Sequence, residues 1–386
     1  MNQRPYYLKP KRVFTEKSIQ NDVYVLVENG TFREITSVPK PGIDTIYTDK
    51  SMLPGFLDLH IHGREGCDVM DATRESIETI SLSLAKHGVV GFLATTVTST
   101  WENTLNAFRT IGEAYHNQPS GALVLGAYNE GIFFTEDHKG AHDEKYFLSL
   151  NKNNIDAIIN AAQGSLKVVA LAPELKNSQA IIQHLALHKI KPMLGHTNAN
   201  FKQTSEALKH GACGGVHVFN GMRGIHHRDP GCAGAVLLDQ EAYVELIADG
   251  VHLHPAILDM VCRLKHSDKV GLISDCIVAG GMPDGEYQLG MLDVQVEQGI
   301  ARTNSGSLAG STLTLDNAVN NMIQLAGINP VQAVNMASLS PAKFLELDKE
   351  IGSIAVGKKA HFSLCDDEFN VKETYIDGKA IYKLNH

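Results

Sequence analysis

Along most of this chain, near-continuous apolar runs alternate with stretches whose apolar positions recur at helical spacing. The runs occupy residues 56–62, 89–98, 122–130, 166–174, 191–197, 214–220, 242–252 and 269–276. Between them, residues 76–87, 101–115, 154–163, 177–188, 201–210 and 255–265 read as helices, with Thr100 and Asn200 where capping side chains belong. Strands buried on both faces carry unbroken apolar runs instead of alternation. Eight such strand–helix units predict a closed TIM (β/α)8 barrel. The competing architecture, an open doubly wound sheet, would usually present an early glycine-rich phosphate loop. Neither GxGxxG nor GxxxxGK[ST] occurs here.

The two ends follow a different period. Short β-like runs at 23–27 and 32–36 flank Asn29-Gly30, and runs at 361–365, 371–376 and 380–382 surround Asp377-Gly378. Such dipeptides between alternating strands are hairpin signals. The expectation is a small β-sandwich domain built from residues 1–53 and 347–386, beside a barrel spanning 54–346. Residues 286–303 read as a further hairpin, turning near 297–299, inserted after the eighth strand.

Composition narrows the partners. A formal charge of −9 over 386 residues argues against nucleic acid, which selects a basic surface. A small phosphorylated ligand needs only two or three local donors and stays compatible. No run approaches the roughly 18 apolar residues of a membrane span. The opening MNQRPYYLKPKRVF has no apolar segment of signal-peptide length. Six cysteines (67, 213, 232, 262, 276 and 365) form no CxxC pair, which fits free thiols in a reducing compartment. A cytoplasmic protein is expected.

In a TIM barrel the chemistry sits at the C-terminal ends of the strands. There this chain carries His60-Ile61-His62, Glu130, His196, His217, Asp249 with His252, and Asp275. His60 and His62 stand at i and i+2, so both face one side of their strand. With 18 histidines in the chain a single one means little, but a barrel would converge all these positions. Neutral imidazoles with carboxylates suit zinc, iron(II), manganese or cobalt and leave room for water in an open catalytic site.

At these residues the sequence resembles the amidohydrolase superfamily, and within it the N-acetylglucosamine-6-phosphate deacetylases. The resemblance runs through LAPE (171–174), GHTNA (195–199), HVFNGM (217–222), HHRDPG (226–231), IADGVH (247–252) and SLAGSTLT (307–314). KGAH (139–142), NGMRGIHHRDPG (220–231) and NMASLSPA (335–342) look closer to the N-acetylgalactosamine-6-phosphate branch. The resemblance implies a divalent metal, one ion or two, held by Glu130, His196 and His217. His60 and His62 are compatible with a second ion and Glu130 with a bridge. It further implies Asp275 as general base and acid, and His142 as stabiliser of the carbonyl oxygen. For an amino-sugar 6-phosphate it implies contacts from Ala141, His142, Asn220, Gly221, Arg228, Asp249, His252 and Leu308, Ala309, Gly310 and Ser311. Arg228 would serve a neighbouring subunit's site, which implies a homodimer. One departure stands out: the family's bridging glutamate is followed by Gly-Pro, whereas this chain reads Asn129-Glu130-Gly131-Ile132. Losing that proline restores a backbone donor.

Two other readings compete. Cyclic-amide hydrolases and isoaspartyl dipeptidase-like enzymes often bridge two metals with a modified lysine ending strand four. Here that strand ends in Leu171-Ala172-Pro173-Glu174, and Lys167 lies at its start. A barrel without catalysis would be expected to lose its ligands, and this one keeps them.

Overall fold

A computed structural model describes residues 4–384. Eight parallel strands form one sheet in sequence order: β1 (Phe56–Ile61), β2 (Val89–Thr95), β3 (Leu123–Asn129), β4 (Leu166–Leu171), β5 (Lys191–Leu194), β6 (Gly214–Gly215), β7 (Tyr243–Ile247) and β8 (Val270–Ile273). The ends of this sheet meet at the seam between β1 and β8. Asp275 N donates to His60 O at 2.9 Å, and Ile61 bridges in parallel to Cys276. Asp58 Oδ1 also accepts from His60 N and from Ser274 N across the same seam. The barrel therefore closes beside His60 and Asp275, and closure fixes their spacing.

Burial on both faces explains the unbroken apolar runs. In β4, Val168 and Ala170 join one core cluster with Tyr128, Met193 and Tyr243. Val169 and Leu171 join another with helix residues Ile155, Ile158, Ile181 and Ile182. The six anticipated helices are present, among them Trp101–His116 and Phe201–Lys209. Thr100 accepts from Asn103 N, and Asn200 forms a reciprocal capping box with Gln203. A helix at Gly231–Leu238 was not anticipated. Its sequence, GCAGAVLL, is apolar all round and almost wholly buried, so it shows no helical stripe.

The sixth run is a strand only at Gly214–Gly215, because His217 and Phe219 take positive φ of 25° and 81° and bend the chain out of the sheet. The terminal segments meet as expected. One sheet holds Thr31–Thr36, Tyr24–Glu28, Tyr6–Lys9 and Asp44–Tyr47, and a six-stranded one joins Arg12–Phe14 and Ser51–Pro54 to Phe362–Cys365. Val25, Phe32, Met52 and Phe362 pack together between them. The insert is a three-stranded sheet (Gly285–Leu289, Leu292–Glu297, Ile300–Thr303), one strand more than a hairpin.

Candidate active site

Glu130 directly follows β3 and is 3% exposed. Its Oε1 lies 3.2 Å from His196 Nε2 and 2.9 Å from His217 Nε2. Its Oε2 lies 3.3 Å from His60 Nε2 and 3.1 Å from His62 Nε2. Asp275 Oδ1 adds to the second half, 3.2 Å from His62 Nε2 and 3.6 Å from His60 Nε2. One carboxylate thus presents two oxygens, each to its own pair of imidazoles.

The opposite ring nitrogens settle what these imidazoles offer. His62 Nδ1 faces Thr95 O, His196 Nδ1 faces His138 O and His217 Nδ1 faces Asn220 O, at 3.2–3.3 Å. His60 Nδ1 faces Glu245 Oε2 at 3.1 Å. All four partners are pure acceptors, so the neutral ring keeps its proton on Nδ1 and turns the Nε2 lone pair inward. His60 Nε2 is wholly buried and makes no hydrogen bond. Four imidazole lone pairs and two carboxylates converging in a buried site fit one or two divalent cations.

His142 differs. Its Nδ1 is 2.8 Å from Thr98 Oγ1, a hydroxyl that already accepts from Ile132 N at 3.1 Å. The hydroxyl proton can bind Nδ1, and a carboxylate oxygen faces Nε2, so the imidazole proton belongs on Nε2. Burial and the neighbouring His196 hold this imidazole well below its ordinary pKa, so it stays neutral. His142 Nε2 lies 3.7 Å from Glu130 Oε2, at the edge of the cluster. It is a neutral donor, where the other four are acceptors.

Burial would raise the Glu130 carboxyl, but His60, His196 and His217 hold it well below its ordinary range. Burial would likewise raise Asp275; His62 and His60 bring it down to about 2. Both are therefore ionised at neutral pH, against His60, His62 and His217, which the same contacts raise and keep protonated until a cation takes the place of their Nε2 protons. Conformation is also constrained here. His196 and Asp275 take positive φ of 46° and 49°, as His217 does. Side chains in that region carry roughly 1–3 kcal/mol of strain each, typical of functional positions. Glu174, just past β4, restrains the His196 turn by accepting from Thr197 Oγ1 and from Asn198 N.

These groups open into a cavity of about 400 Å³. His62, Glu130, Ala141, His142, His196, His217, Asn220, Gly221, His252, Asp275, Leu308 and Gly310 all line it. His60 sits behind this wall with no exposed surface. Asp249 and Ser311 line a neighbouring recess and act on the residues beside them. Asp249 Oδ2 holds His252 Nδ1 at 2.6 Å, and Ser311 N donates to Asp275 O. Ala309 is fully buried under the inserted sheet with Val97 and Leu289. Arg228 lies outside the cavity, exposed, with its guanidinium on His227. Among the described residues no lysine or arginine lines the cavity.

The amidohydrolase family profile matches residues 51–381, most of the chain. This protein belongs to the amidohydrolase family. Two relatives align over nearly the full length of this amidohydrolase. The N-acetylglucosamine-6-phosphate deacetylase of Vibrio furnissii is 41% identical over 97% of this chain and 94% of that protein. The N-acetylgalactosamine-6-phosphate deacetylase of Escherichia coli O157:H7 is 40% identical over 97% and 98%. Among solved structures, a mutant N-acetyl-D-glucosamine-6-phosphate deacetylase from Mycobacterium smegmatis in complex with N-acetyl-D-glucosamine-6-phosphate matches with a TM-score of 0.92. It is 27% identical over 98% of this chain and 100% of that one.

Glu245 and Thr98 escaped the sequence reading. Glu245 hides in the apolar run Tyr243-Val244-Glu245-Leu246-Ile247, and a lone threonine past β2 carries no signal of its own.

Divalent metal should stabilise this amidohydrolase. At about a hundred times Kd, binding to the folded state alone contributes about 2.7 kcal/mol. Chelator-stripped protein should therefore gain several degrees in melting temperature when zinc, manganese, cobalt or iron(II) is restored. An unchanged melting temperature with all four would count against a metal centre.

Proposed function

We propose that this amidohydrolase hydrolyses the acetamide of an N-acetylhexosamine 6-phosphate to the hexosamine 6-phosphate and acetate. The observation that carries this reading is the division of labour around Glu130: four imidazole acceptors, one neutral imidazole donor and one ionised aspartate, all but His60 lining a single cavity. The two full-length relatives, one named for each sugar epimer, support the substrate class. A divalent ion held by Glu130, His196 and His217, with His60 and His62 for a second, would supply Lewis acidity and lower the pKa of water toward neutrality.

The chain's own residues account for the proton and charge movements. Asp275, ionised at neutral pH, accepts the proton of the attacking water as the new C–O bond forms. The acyl carbonyl oxygen gains negative charge, and His142 Nε2–H donates to it. Asp275 then passes its proton to the amine nitrogen as the C–N bond breaks, releasing acetate and the free amino sugar. Val97, Ala141 and Leu289 form the apolar wall beside His142, suited to a small acyl methyl. His252, fixed by Asp249, lines the same cavity as Asn220 and Gly221, and these three are assigned to the sugar phosphate.

A phosphate dianion calls for a cation, and the cavity's own lining provides none. Arg228 is exposed on its loop, outside the cavity of its own chain. We assign it to the cavity of a second copy, making the catalyst a homodimer. The six unpaired cysteines accord with a reducing, cytoplasmic setting.

Metal-supplemented protein is expected to release acetate from N-acetylglucosamine 6-phosphate or N-acetylgalactosamine 6-phosphate, and the ratio of kcat/KM names the preferred epimer. Asp275→Asn should lower kcat by about 10²–10⁴-fold, the usual contribution of a positioned acid–base group. No acetate from either sugar would overturn the reading. Arg228→Ala should raise KM for the phosphorylated sugar by about 10–100-fold, the loss of a charge-assisted contact. An equal effect on the unphosphorylated sugar would remove its phosphate role. Thr98→Val, which deprives His142 of its orienting hydroxyl, should cost about tenfold in kcat with little change in KM. A rise in KM alone would mean that Thr98 merely shapes the cavity.

A further inference from the structure

Glu245 is a carboxylate with no exposure on β7, and no lysine or arginine is bonded to it among the described residues. A buried charge without a partner is costly, so its presence calls for a reason. Its one side-chain hydrogen bond goes to His60 Nδ1, and Tyr128 packs its ring 4.8 Å from the same imidazole. Glu245 Oε2 also lies 3.4 Å from His217 N, so the carboxylate sits between the two halves of the cluster. Its other oxygen is buried and unpaired.

The three other cluster imidazoles whose Nε2 meets Glu130 rest their Nδ1 on backbone carbonyls, which orient a ring without adding charge. His60 alone rests on a carboxylate, which orients the ring and also raises its basicity as a ligand. With Glu130 and Asp275, Glu245 puts three carboxylates against His60, two at Nε2 and one at Nδ1. One divalent cation cannot neutralise three negative charges. We infer that Glu245 is a positioning residue that equips the His60–His62 half of the cluster to hold a second divalent cation.

This inference rests on the metal-centre reading above, and its test separates the two. Chelator-stripped protein is titrated with zinc or manganese by calorimetry, with bound metal counted by elemental analysis and no substrate present. The wild-type chain should take two ions. Glu245→Gln, which keeps the shape and removes the charge, should take the first ion with unchanged affinity and the second at least tenfold more weakly. Equal affinity for the second ion in both proteins, or a wild-type chain that takes only one, would overturn the inference while leaving acetate release untouched. Should no ion bind at all, the metal-centre reading falls as well. A companion pair guards against a folding defect. His60→Asn should weaken the second ion alone, and adding Glu245→Gln to it should cost nothing more, because the glutamate acts through that ring. An additive further loss would show that Glu245 does not act through His60 and would sink the proposal. If Glu245→Gln does not fold, Glu245→Asp, with its shorter reach, replaces it under the same criteria.

Discussion

The structure is organised around one buried carboxylate. Glu130 holds its charge in a place where an isolated ion would not survive, and it does so because protonated imidazole nitrogens approach both of its oxygens; a divalent cation would take the place of those protons. That arrangement dictates backbone geometry several strands away. To bring His196, His217 and Asp275 inward at the strand ends, the chain adopts positive φ at all three. Such strain persists only where the surroundings over-determine it. Here the surroundings are an eight-stranded barrel whose seam closes at His60 and Asp275 and whose strands are buried on both faces.

The partners behind each ring then assign its part. Imidazole is ambivalent, able to donate or accept from either nitrogen, and only the group behind it decides. Carbonyls and a carboxylate stand behind four rings and make them acceptors toward the centre. A hydroxyl stands behind the fifth, able to donate its own proton to Nδ1, and in that tautomer the ring is a donor toward the cavity. The same side chain is thereby used for two opposite tasks within a few ångströms, and the outer partners carry the distinction.

This explains what the sequence could and could not reveal. The barrel was legible because burial on both faces leaves unbroken apolar runs, and turn residues mark the terminal strands. The central cluster was legible because strand ends are where a barrel converges polar side chains, and His60-Ile61-His62 announces itself. The supporting residues were not. Glu245 reads as an interruption in an apolar strand, Thr98 as one threonine among several, and Thr95 and His138 contribute only backbone oxygen. Arg228 was expected from its motif to serve a neighbouring subunit's site, and it lies exposed, outside the cavity of its own chain. Whether a side chain serves its own site or a neighbour's depends on where a loop ends, and no periodicity encodes that.

The stretch Asn129-Glu130-Gly131-Ile132 shows how one departure from a family pattern propagates. Gly131 and Ile132 take φ of 118° and 60°, which proline, fixed near −65°, cannot adopt. The loop after Glu130 must therefore run differently here from any loop with proline in that place. The amide that isoleucine restores is in use: Ile132 N donates to Thr98 Oγ1, and that contact leaves the hydroxyl proton for His142. At Gly131 a Cβ would fall 2.5 Å from Thr98 N, so the close approach that permits this contact also demands glycine. The substitution beside Glu130 thus bears on the orientation of His142, and leaves the pairing of Glu130 with its imidazoles intact.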